Sequence, residues 1–150
     1  MPFWLAGIFA GLIAGLVMAI LAMWFTWLVG KGFLYPLRLT AGFVERNAAL
    51  EGVTAPALGV VLHFGMSVLL GVFLAAILSG FSTPRLHSDA GQALVFGLIY
   101  ALIIWAINQF GILRWADPLM AERMPPVAFG LAHAIFGAVL GFLIIVFMNR

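Results

Sequence analysis

The sequence contains no cysteine. Disulfides, thiolate metal ligands and thiol nucleophiles are therefore excluded. It is also poor in charge: Asp, Glu, Lys and Arg make up 8% of the 150 residues, against about 25% in a soluble domain. None of them falls within residues 3–29, 56–80, 90–110 or 126–147. Those stretches hold no paired carboxylates for acid–base work and no charged groups of the kind that line proton pathways. A nucleophile with its base, a phosphate-cradling glycine loop and an H-E-x-x-H helix are missing as well. These absences argue against an enzyme. The net charge of +2 sits on a sequence with a pI near 9.7 and no basic run, so nucleic acid is not an expected partner.

What the chain does have is apolar surface. Hydrophobic residues make up 65% of it and the mean hydropathy is +1.21, far from the roughly 45–50% apolar of a soluble domain. The four uncharged stretches are each long enough to cross a hydrocarbon core of about 30 Å, which takes about 20 helical residues. The expected fold is all-α: an integral membrane four-helix bundle, one domain over residues 1–150, with spans at about 3–29, 56–80, 90–110 and 126–147. The first run is read as a span rather than a cleaved signal, because no Lys or Arg precedes it and it exceeds a signal h-region. Asp89 followed by Gln92 marks the start of the third span. Pro56 and Pro126 suit the first turns of the second and fourth.

Basic residues orient the bundle. Lys31, Arg38, Arg46, Arg114 and Arg123 lie in the first and third connections, and only Arg85 and Arg150 on the other side. By the positive-inside rule both termini face outward from a bacterial or archaeal cytoplasmic membrane. The first connection contains FVERNAALEG, which suits a short amphipathic helix at the headgroups. FSTPRLHSD, with His87, reads as a polar turn. RWADPLMAERMPP carries the helix-start pair Asp117–Pro118 and room for one interfacial turn. Trp24, Trp27, Trp105 and Trp115 gather on the side of the longer connections, as interfacial aromatics do.

Two stretches match. PALGVVLHFGMSVLLG and PVAFGLAHAIFGAVLG place Pro56, His63 and Gly71 against Pro126, His133 and Gly141, each displaced by 70 positions. GLVMAIL from Gly15 resembles GLIYALI from Gly97, so a transmembrane hairpin is expected to be duplicated as a parallel repeat about an axis near the membrane normal. Small residues fall four apart beside both histidines: Gly59, Ser67 and Gly71 in one helix, Gly137 and Gly141 in the other. Gly7, Gly11 and Gly15 line the first span, and Ala93, Gly97 and Ala101 the third. Such seams mark close helix contacts. Seams on all four spans are more than one bundle is expected to use.

Each histidine lies seven residues past its proline, about 10 Å into the helix at 1.5 Å per residue. Both are expected to be buried and turned toward the bundle axis. Interhelical hydrogen bonding to a carbonyl or to Ser67, Tyr100 or Asn108 is the plain reading. Axial ligation of haem b by His63 and His133 is the sharper one. A soft-metal site would recruit Met66 or the pair Met120 and Met124, which read more naturally as gap fillers. Proton relay lacks charged partners. Asn108 and Gln109 form a possible polar site near the histidine leaflet, or satisfy carbonyls at a helix end.

At WAINQFGILRWADP and PPVAFGLAHAIFGAVLGF the sequence resembles an uncharacterised family of small bacterial and archaeal membrane proteins of about this length with four predicted helices. The shared features are an early glycine-rich helix, a histidine in the second span, Asn108 followed by an aromatic, Pro118, and Ala132–His133 with Phe136–Gly137. Gln109, Gly111 and Ile112 depart from that family's pattern. The resemblance implies the topology and an interest in His63 and His133; it implies no reaction. Paired histidines on parallel helices are also similar to membrane cytochrome b bundles, whose usual ligands for a second haem are missing here. The function expected from these residues is that of a non-enzymatic accessory or assembly subunit of a larger, for instance respiratory, membrane complex. Its partners would be the lipid bilayer and other transmembrane subunits or further copies of the chain. The alternatives are a b-type cytochrome-like electron carrier and an oligomeric small-solute channel or carrier.

Overall fold

The computed structural model describes residues 1–80 and 89–150; Arg85 and His87, in the connection read as a polar turn, lie outside the described residues. The protein is all-α, and four of its helices are long and apolar enough to cross a membrane. α1 spans Phe3–Leu28, α2 Tyr35–Glu45, α3 Ala55–Gly80, α4 Ala90–Ile107, α5 Leu113–Ala116, α6 Pro118–Arg123 and α7 Pro126–Met148.

Local chemistry sets most of the helix starts. The Asp89 side chain accepts hydrogen bonds from the backbone N–H groups of Gly91 and Gln92, at 2.9 and 3.3 Å, which satisfies two donors that the first turn of α4 leaves free. Asp117 caps α6 in the same way, accepting from Met120 N–H at 3.1 Å. Pro36, Pro56, Pro118 and Pro126 all stand in first turns, where a missing N–H costs little.

Two expected boundaries move. The third span does not end at 110: Asn108–Ile112 form a π-helical turn, α5 continues from it, and the helical rod reaches Ala116. Asn108 and Gln109 therefore sit inside a helix rather than at its frayed end. The amphipathic helix of the first connection lies earlier than FVERNAALEG. It begins at Tyr35, favoured by Pro36, and stops at Arg46, which has a φ of +54° and is the only non-glycine with positive φ among the described residues. Arg46–Leu50 is a 3-10 turn. It is held there by the Arg38 guanidinium, which donates to the carbonyls of Ala49, Leu50 and Gly52 at 3.2, 3.2 and 2.7 Å.

Glycine seams join the spans. A Cβ on Gly7 would fall 2.6 Å from Val72 Cα and 2.7 Å from Gly71 O, and one on Gly11 would fall 2.5 Å from Ser67 O. No side chain larger than hydrogen fits there while α1 and α3 keep this approach. Gly97 of α4 meets Gly137 and Gly141 of α7 as closely, and Gly59 meets the backbone of Leu37 in α2. The seams are thus consumed within one chain, by the four spans and by α2, and leave no surplus for partners.

Gly71 rests on Gly7 and Gly11, while Gly141 rests on Ala93 and Gly97. The two hairpins therefore use like contacts in a register that pairs position 7 with 93. That is one helical turn away from the alignment of Gly15 with Gly97. The arrangement of the hairpins is unequal. α1 and α7 pack together at the centre, α3 flanks α1 and α4 flanks α7, but α3 and α4 barely approach each other. A two-fold axis relating the hairpins would turn the α1–α7 contact into an α3–α4 contact, and at that place there is a cleft. Away from it the core is filled by Leu74, Leu78, Leu140 and Ile144, all buried. The Met1 amino group donates to Met148 O at 3.4 Å, so the two ends of the chain meet on one side.

Candidate functional site

The cleft encloses about 420 Å³, within the roughly 300–1,000 Å³ usual for small-molecule sites. Its walls are α3, through His63, Met66 and Ser67, and α4 with its π turn, through Ile107 and Asn108. Phe129, His133 and Phe136 of α7 form the floor, and Thr40 and Phe43 of α2 with Asp117 and Met120 form the roof. A smaller cavity of about 210 Å³ between α1, α2 and α7 adjoins it, sharing Met18, Thr40, His63, Met120 and Phe129, and reaches Thr26. His63 and His133 both line the larger space, but they are held differently.

His63 is half-buried and its Nε2 is 2.9 Å from the carbonyl oxygen of Gly15 on α1. A carbonyl only accepts, so Nε2 carries the hydrogen and the bond ties α3 to α1. The His63 carbonyl in turn accepts from the Ser67 hydroxyl at 2.8 Å. His133 is 6% exposed. Its Nδ1 donates to Phe129 O of its own helix at 3.0 Å, and its ring meets the Phe129 ring edge-to-face at 4.3 Å. A neutral imidazole has one N–H, so Nε2 of His133 keeps its lone pair, and no hydrogen bond to it is formed among the described residues. The expectation of two buried histidines thus holds for His133 and only in part for His63.

The other polar groups come from places that sequence spacing does not connect. Asp117 is 1% exposed. Burial pushes its carboxyl above the ordinary carboxylate range, while the Met120 N–H and the nearby Arg46 pull it back. The Arg46 guanidinium itself donates to Ala116 O. Among the described residues no lysine or arginine lines the cleft. Of the expected polar pair, Asn108 lines it and Gln109 does not: adjacent residues on a helix point about 100° apart. Gln109 is buried, with its Oε1 unpartnered among the described residues. Trp105, expected at the interface with Trp24, Trp27 and Trp115, is half-buried against Gly130, and its Nε1 has no hydrogen-bond partner among the described residues. The other three are exposed. Asp117 and Thr40 were not foreseen as site residues. The helix-start pair Asp117–Pro118 signalled a cap but carried nothing about burial.

Among the described residues, no group of three or more His, Cys, Asp or Glu is placed to hold a metal ion. Comparison with known proteins found no matching family, no matching curated protein and no matching solved structure.

Proposed function

We propose that the chain is a non-enzymatic membrane subunit that associates with other transmembrane helices, as an accessory or assembly component of a larger complex or as a homo-oligomer. The observation that supports this reading is the unequal burial of the four spans. In their most apolar stretches 44% of α1 and 39% of α7 are buried, against 22% of α3 and 17% of the span from Ala90 to Ala116. The flanking helices keep Leu69, Phe73, Ile99 and Ile103 exposed, and these would meet acyl chains or a partner's helices.

Further parts of the reading belong with it. The hairpins descend from one duplicated unit, as the like contacts of Gly71 and Gly141 suggest. The end bearing Lys31, Arg38, Arg46, Arg114 and Arg123 faces the cytoplasm. The subunit reading stands ahead of haem ligation on the unequal burial of the spans; each imidazole donates one N–H to a carbonyl and keeps a lone pair on its other nitrogen, Nδ1 of His63 and Nε2 of His133. It is favoured over a solute path through one copy because the core beyond the cleft is closed by leucine and isoleucine.

Because the chain has no cysteine, single cysteines at Leu69 and Ile103 give a clean cross-linking test in membranes. A discrete adduct to a second copy or another membrane protein is the expected result. A strictly monomeric particle by light scattering, with no adduct from either position, would overturn the reading. An absorption spectrum without a Soret band is also expected.

A further inference from the structure

Where α3 and α4 separate, the cleft opens sideways. Phe43, Met66, Ile107 and Ile112 line it and are also exposed, so its mouth faces the acyl region of the bilayer. Its lining also carries polar side chains. His133, 6% exposed, contributes a lone pair at Nε2, because Nδ1 is committed to Phe129 O. Asp117 brings a carboxyl that already uses Oδ1 on Met120 N–H, and Asn108 brings an amide. An apolar mouth leading to buried acceptors matches a molecule with an apolar body and hydrogen-bond donors at one end. An unpaired acceptor in such a place costs free energy that a donor from the ligand would recover.

Charge narrows the class. With no lysine or arginine on its walls among the described residues, the cleft offers little to neutralise a phosphate or carboxylate headgroup. Its one carboxyl is disfavoured in the ionised form by burial and already faces Arg46, which leaves little to hold an ammonium. A volume of about 420 Å³ suits a molecule rather than a bare metal ion. We propose that this cleft binds an uncharged, hydroxyl-bearing amphiphile taken laterally from the bilayer, whose hydroxyl donates to His133 Nε2. The hydroxyl belongs to a lipid alcohol or to a hydroquinone. The inference does not depend on whether the chain has protein partners.

The test uses the purified full chain in lipid nanodiscs, titrated separately with dioctanoylglycerol and decyl-hydroquinone. The controls are the methyl ethers of both compounds and dioctanoyl phosphatidic acid. Saturable binding of either hydroxyl compound is expected, at least tenfold tighter than its ether and than the phosphatidic acid; which one binds tells an aliphatic from a phenolic hydroxyl. His133→Phe, which keeps ring volume and removes the acceptor, should weaken binding at least tenfold. Met66→Trp, at the exposed mouth and away from the helix seams, should block uptake without loss of fold. Equal binding of an ether or of the phosphatidic acid would overturn the proposal. So would no saturable binding of either hydroxyl compound, or unchanged binding by both folded variants.

Discussion

His63 of α3 donates its Nε2 hydrogen to the carbonyl oxygen of Gly15 on α1, 2.9 Å away, and the same helices touch backbone to backbone one and two turns along, at Gly11 and Gly7. Glycine brings α1 close enough for an imidazole to reach across. Its counterpart His133 turns back on its own helix. His63→Ala should therefore loosen the α1–α3 pair by about 0.6 kcal/mol, and by no more than about 1.7, the average and the maximum for interhelical hydrogen bonds in a membrane. Thermal unfolding in mild detergent would report it. Unchanged stability would mean that the bond contributes nothing beyond packing.

The glycine seams make a sharper prediction. Gly137→Leu should separate α4 from α7, since even a Cβ at that position runs into Gly97 and Ala101, whereas Gly65, with nothing within 4 Å, is open. Gly65→Ala should be tolerated or stabilise α3 by about 0.5–1 kcal/mol, the cost of glycine within a helix. Loss of folded, monodisperse protein for the first and retention for the second is the expected pair of results. A well-folded Gly137→Leu protein would refute the α4–α7 contact.

Tyr100 spans the cleft-side gap, donating its hydroxyl to Leu70 O at 3.1 Å while its ring lies 6.4 Å from that of Phe73. Tyr100→Phe keeps the ring and removes the bond. Spin labels on cysteines introduced at Leu69 and Ile103 should show a broader distance distribution in this variant. An unaltered distribution would mean that the hydroxyl does not hold α3 to α4.

Asp117 makes stability depend on pH. Its folded pKa is raised chiefly by burial. The protonated folded state is thus relatively favoured, and the stability it adds is fully present below the ordinary value of about 3.9 and is lost as pH rises through the raised folded pKa. The wild type should lose stability over that window relative to Asp117→Asn, which can still cap α6. Parallel melting-temperature profiles for the two proteins would show that the carboxyl titrates normally.

Much of this was legible one residue at a time. The four spans follow from uncharged runs whose length matches the hydrocarbon core, and the caps at Asp89 and Asp117 follow from side chains whose oxygens reach the free N–H groups of the next turn. The seam glycines were visible by their spacing. Asn108 and Gln109, adjacent in sequence, were read as one polar pair at a helix end, but the helix runs on through a π turn and neighbours on it face different directions. No periodicity rule marks where a helix takes in an extra residue.

Hydrophobic length and local capping act within a single helix, and to that extent the sequence by itself determined the all-α membrane architecture, the histidine in each matching span and the glycines able to bring helices together. Which helices those glycines join depends on how all four spans and α2 share a limited set of close contacts, and that choice is made only by the tertiary structure. It spent every seam internally and placed α1 and α7 at the centre. It also left α3 and α4 apart, so that two histidines in matching sequence positions came to do different things: His63 holds two helices together, and His133 faces the cleft that the unequal packing left open.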